Sequence, residues 1–82
     1  MNKSEMRLLH IENVISAFAF TGHKPIIKNY DCFAGSVDLI TKKDGVLHFV
    51  GLGRKEAELK KASEYYIRRY GIKDIEIRIV AI

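Results

Sequence analysis

The chain holds one cysteine and one proline in 82 residues, and it has no repeat, linker or low-complexity stretch. A lone thiol, Cys32, excludes an internal disulfide and points to a reducing compartment. No apolar run approaches the ~20 residues needed to span a bilayer. The opening residues Met1-Asn2-Lys3-Ser4-Glu5 carry no signal-peptide apolar region. The expectation is a soluble cytoplasmic protein with no membrane partner. Ligand motifs are as sparse. His10, His23 and His48 have no metal-ligand spacing, and no second cysteine joins Cys32. Gly51-x-Gly53 lacks the third glycine and the later acid of a dinucleotide fingerprint. Cys32 paired with a histidine would be a nucleophile; in a turn such a cysteine is more commonly an ordinary small residue.

What is present suits one small folded domain over residues 1–82. Hydrophobic residues make up 48% of the chain, enough to form a core. A domain of this size buries only roughly 60–65% of its unfolded surface, so that core is thin. Fourteen Lys and Arg against ten Asp and Glu give a net charge of +4, a mild bias towards a phosphate-bearing partner.

The segment from Gly35 to Lys55 organises the rest. Apolar runs at Ser36–Thr41 and Val46–Leu52 flank Lys43-Asp44-Gly45, a strong hairpin signal. Alternation places Ser36, Asp38 and Ile40 on one face of the first strand. It places Leu47, Phe49, Gly51 and Gly53 on one face of the second. Asp38 is then a lone carboxylate among apolar residues. Before the hairpin, Leu8, Ile11, Ile15 and Phe18 form a helical stripe from Ser4 to about Phe20. Asn2 or Ser4 can cap its start, Gly22 ends it and Pro25 blocks its continuation. Ile26–Tyr30 reads as a short strand and Asp31–Gly35 as a turn. Past the hairpin, Leu59, Ala62, Ser63, Tyr66 and Tyr70 mark an amphipathic helix from Arg54 to Tyr70, stopped by Gly71. Ile75, Ile77 and Ile79 alternate with Glu76 and Arg78 in a final strand, Asp74–Val80, of edge character. The expected class is α/β (α+β), in the order α-β-β-β-α-β.

Gly22-x-x-x-Ile-Ile-x-Asn29-Tyr30, then Gly35-Ser-Val-Asp38-Leu-Ile, then Phe49-Val-Gly51-Leu-Gly53 resemble the YraN-like family of small predicted endonucleases. That family belongs to the restriction-endonuclease-like, or PD-(D/E)XK, superfamily. Its members read Gly-Glu-Ile-Asp-Leu-Ile, a short hairpin, then Phe-Val-Glu-Val-Lys, a helix and a closing strand. The resemblance implies a mixed sheet flanked by helices and covers roughly Glu12 to the C-terminus, with a shortened connection before the second helix.

Of the implied catalytic positions only Asp38 is kept. Ser36, Gly51 and Gly53 stand where the family has glutamate, glutamate and lysine. In such nucleases the carboxylates hold Mg²⁺ and the lysine steadies the attacking water. Mg²⁺ needs one or two carboxylates plus substrate oxygens and waters. Removing one preorganised charge costs ~10²–10³ in rate, so hydrolysis is not expected and no cofactor is required. Lys55, Glu56 and Glu58, just past the strand, are candidates to replace the lost groups; glutamates at a helix start more commonly complement its dipole.

The glycines leave two readings open. A partner segment or nucleic-acid backbone packs against their face, or the strand ends at Val50 and 51–53 is loop. Lys55, Lys60, Lys61, Arg68 and Arg69, with Tyr65, Tyr66 and Tyr70, form a candidate phosphate- and base-binding surface; a solvated helix face has the same composition. Three functions follow. The first is a catalytically degenerate nuclease-fold module that binds nucleic acid, DNA in the first instance, or serves assembly. The second is an active Mg²⁺-dependent, junction-resolvase-like endonuclease with relocated residues. The third is a structural homo-oligomer that completes its core with a second copy.

Overall fold

A computed structural model describes residues 3–82, with side chains of the first helix described at positions 6, 9, 10 and 12–17. The elements are α1 (Lys3–Phe20), β1 (Lys24–Cys32), β2 (Gly35–Lys43), β3 (Val46–Gly51), α2 (Glu56–Tyr70) and β4 (Glu76–Ala81). The expected α-β-β-β-α-β order is the one observed. The four strands form one sheet in the order β1-β2-β3-β4. β1–β2 and β2–β3 pair antiparallel, and β3–β4 pair parallel, so the sheet is mixed. α2 lies against β2, β3 and β4, while α1 touches β1 and β2.

Local chemistry explains most boundaries. Lys43 pairs with Val46, leaving Asp44-Gly45 as a two-residue loop, with φ 51° and 77°. Two positive φ angles define a type I′ turn, whose twist matches the strands it joins. Gly71 closes α2 in the left-handed region, its N–H donating to the Ile67 carbonyl. Glu56 and Glu58 sit in the first turn of α2 and Arg68 and Arg69 in the last, each complementing the helix dipole.

The first hairpin departs from the sequence expectation. Cys32 pairs with Gly35, so β1 runs two residues past Tyr30 and the loop shrinks to Phe33-Ala34. The α1 stripe rests on Leu8, Ile11 and Phe18, whose side chains lie outside the described residues, and on Ile15, which is half-buried. The candidate caps fall outside them too: Asn2 altogether, Ser4 by its side chain.

The core lies between the sheet and α2. Val37, Ile40, Leu47, Phe49, Leu59, Ala62 and Tyr66 form one buried cluster, with Ile75, Ile77 and Ile79 packed against it. Tyr66 is its aromatic hub, meeting Tyr30 and Phe49 edge-on at 5.3 and 5.7 Å. Such pairs add about 0.5–1.5 kcal/mol each beyond area burial. Burial pushes the Tyr30 hydroxyl up to about 12 and raises that of Tyr66. Val37 and Ile40 stand three residues apart yet share the cluster, so strict alternation breaks between them. Asn29 on β1, at φ 51°, lies opposite that break. Ser36, Asp38 and Ile40 therefore do not form the uniform face that alternation predicts.

Leu39, Thr41 and Val50 are buried but stand apart from that cluster. Here His23 and Thr41 share a hydrogen bond of 3.0 Å, and the His23 and His48 rings meet edge-on at 4.5 Å. Burial, then His48 and Lys43, hold the His23 pKa below 6.5, with Asp44 opposing. A depressed histidine is bound neutral by the fold. Its contribution is full above pH 6.5 and is lost as pH falls through the folded value. Acidification from pH 7 towards 5 is expected to lower the melting temperature, and His23→Gln to flatten that part of the profile.

Candidate functional site

Asp38, on β2, is buried at 2% exposure. An isolated carboxylate there would be very costly. The fold meets this with two kinds of donor. The Leu52 N–H donates to Oδ2 at 2.6 Å. Arg54 donates through Nε to Oδ2 at 3.1 Å and through Nη2 to Oδ1 at 3.3 Å. The two guanidinium contacts make a fork-on-fork pair, the strong form of a charge-assisted hydrogen bond.

Backbone geometry sets this up. The β2–β3 ladder stops at Leu39↔Val50. On its other edge β3 stays paired with the C-terminal segment, the Gly53 N–H donating to the Ile82 carbonyl and the Ile82 N–H to the Gly51 carbonyl, both at 2.8 Å. The intervening Leu52 N–H points towards β2, where the Asp38 side chain takes the place of a strand partner. Gly53, at φ 68°, then turns the chain so that Arg54 comes back over Asp38. For this reason α2 starts at Glu56 rather than at Arg54 as the sequence pattern predicts.

The other motif positions are dispersed. The Ser36 hydroxyl donates to the Asp31 carboxylate across the hairpin. Gly51 is buried, and a Cβ on it would stand 2.6 and 2.9 Å from the Leu59 methyls and 3.1 Å from the Arg54 Cβ. Its missing side chain is thus replaced by Leu59 of the same chain, and the close approach inferred from the sequence comes from α2. Gly53 is different: nothing lies within 4 Å of its Cβ position, and it is loop. Neither sequence reading of the glycines holds in full, because the strand runs through Gly51 and only Gly53 is outside it.

Of the proposed replacements, Glu58 reaches the site. Its carboxylate lies 3.5 Å from Arg54 Nη1, so one guanidinium bridges Asp38 and Glu58. Lys55 and Glu56 are exposed. Arg54 is the residue that sequence reasoning missed. The available signal was a buried acid in need of a countercharge, with an arginine immediately after the glycine pair. Among the described residues no group of three or more His, Cys, Asp or Glu is placed to share an ion, and no helix is long and apolar enough to cross a membrane.

The five basic candidates of α2 are all exposed but do not form one surface. Lys61 and Arg68, seven residues apart and so on one face, line a notch of about 230 Å³ with Ala34, Glu64 and Tyr65. Helical spacing puts Lys60 and Arg69 on other faces, and Lys55 is the N-cap that precedes the helix. Tyr66 is core, while Tyr65 and Tyr70 are exposed. Compared with known proteins, the chain matches no family model and no curated sequence.

Proposed function

We propose that this protein is a nuclease-fold module of the restriction-endonuclease-like kind that binds nucleic acid, or assembles on it, without cutting it. The observation that carries this reading is the Asp38–Arg54 pair. A guanidinium on both carboxylate oxygens neutralises the one acid through which an ion would bridge protein and phosphodiester. A cation entering there would have to displace a fixed positive charge. The position that would supply the second carboxylate is packed against Leu59, and Gly53 offers no lysine. Net charge +4 and the exposed cations of α2 favour a phosphate-bearing partner. A single thiol suits the reducing cytoplasm.

One observation favours the relocated-site alternative: Asp38 and Glu58 flank the same guanidinium. The test therefore includes a variant that removes the shared guanidinium of Arg54. Supercoiled plasmid and branched DNA are incubated with Mg²⁺ or Mn²⁺ and wild type, Asp38→Asn or Arg54→Ala. No nicking is expected from any of them. Binding of the same DNA is expected to weaken steeply with salt as phosphate contacts are lost. Nicking by wild type that disappears in Asp38→Asn would establish the alternative. Binding absent even at low salt would remove the nucleic-acid component.

A further inference from the structure

The tip of the β1–β2 hairpin carries a ring that the fold does not use. Phe33 is 100% exposed, at a loop position where small polar residues are usual. The tip is held firmly. Cys32 and Gly35 pair across it, the Cys32 thiol donates to the Gly35 carbonyl, and a Cβ on Gly35 would stand 3.0 Å from the Glu58 Cγ. Its neighbour Ala34 forms one wall of the notch that Lys61, Glu64, Tyr65 and Arg68 complete. A free-standing ring on a pinned backbone thus adjoins, through Ala34, a notch with a second exposed ring and two cations against one acid. Lys61 and Arg68 are spaced roughly 10 Å along the helix axis.

We propose that this surface binds single-stranded nucleic acid, with an unpaired base stacked on Phe33 and the adjoining phosphates held by Lys61 and Arg68. The proposal rests on the nucleic-acid half of the reading above and names the form of the ligand. Aromatic rings beside cations are how sequence-tolerant single-strand binders work, since every base has a π-face and the cations follow the backbone. In a duplex those faces are covered by neighbouring base pairs, so a ring at a hairpin tip gains a stacking partner only from unpaired bases. Pinning the backbone of the tip before binding lowers the ordering cost. Tyr65, at the notch wall, is placed to cover a second base.

The chain has no tryptophan, so Phe33→Trp in the full chain gives a single reporter at the site. Short oligodeoxythymidine is expected to quench its emission saturably, and a blunt mixed-sequence duplex to compete poorly. Phe33→Ala, at a fully exposed position that leaves the core untouched, is expected to weaken oligomer binding about tenfold or more. Lys61→Ala and Arg68→Ala should each lower the salt slope by about one. Three results would overturn the proposal in distinguishable ways. An oligomer that binds wild type and Phe33→Ala equally, without quenching Trp, removes this site but leaves nucleic-acid binding standing. No binding of any nucleic acid at low salt removes both. A Trp emission that shifts with protein concentration alone assigns the ring to a second copy of the chain.

Discussion

Asp38→Ala is expected to destabilise the fold by about 3–5 kcal/mol, the range for stripping one partner from a buried ion pair. Two donors lose their acceptor together, the buried Leu52 N–H and the Arg54 guanidinium. At ~0.05–0.15 kcal/mol per residue, a chain this size has about 4–12 kcal/mol in total, so the loss is a large fraction. The melting temperature should fall by roughly 4–8 °C per kcal/mol. Asp38→Asn keeps an acceptor for Leu52 and should lose about 1.5–3 kcal/mol, the worth of a charge-assisted hydrogen bond. Arg54→Ala belongs in that same range, because its side chain keeps 26% exposure and water partly replaces it. The double variant Asp38→Ala/Arg54→Ala should cost clearly less than the two single losses summed. Chemical denaturation of the four variants measures this coupling. Additive losses would mean that the two residues act independently.

The second large effect is expected at Gly51. Gly51→Glu restores the acid of the resembled family, yet should abolish stable folding or cost at least about 3 kcal/mol. Its Cβ alone would meet the Leu59 methyls at 2.6 and 2.9 Å, and Leu59 is fully buried. Overpacking of that kind costs about 1–3 kcal/mol, and a second carboxylate buried near Asp38 adds to it. Gly51→Ala isolates the steric part and should cost about 1–2 kcal/mol. Gly53→Ala meets no neighbour, so it should show only the strain of a positive φ, about 1 kcal/mol. A thermal melt of the three variants ranks them. A folded Gly51→Glu protein as stable as wild type would mean that Leu59 yields freely and the position is open to a ligand side chain.

These effects turn on contacts that the sequence shows unevenly. The Asp44-Gly45 turn and the stop at Gly71 were legible because each demands a backbone conformation few residues adopt. The core face of α2 was legible from periodicity through Leu59, Ala62, Ser63 and Tyr66. It overran at Tyr70, which is exposed and only tilts against Tyr66. The first hairpin was read too short because Asp31 and Gly35 look like turn residues, whereas both pair in the ladder. At the site, Asp38 stood out as an acid in an apolar strand. The role of Arg54 did not, since helical spacing assigned it to α2 and only the turn at Gly53 brings it back. Gly51 announced a close approach but not its source: Leu59 lies eight residues further on, in another layer, and only packing places it there.

The most direct measurement is the amide spectrum of the ¹⁵N-labelled protein titrated with Mn²⁺, whose unpaired electrons broaden nearby resonances. The predicted result is no selective broadening at residues 36–38 and 51–54, in wild type or in Asp38→Asn. Saturable broadening centred on Asp38 and Leu52 in wild type, and absent from Asp38→Asn, would show that the carboxylate holds a cation in preference to Arg54.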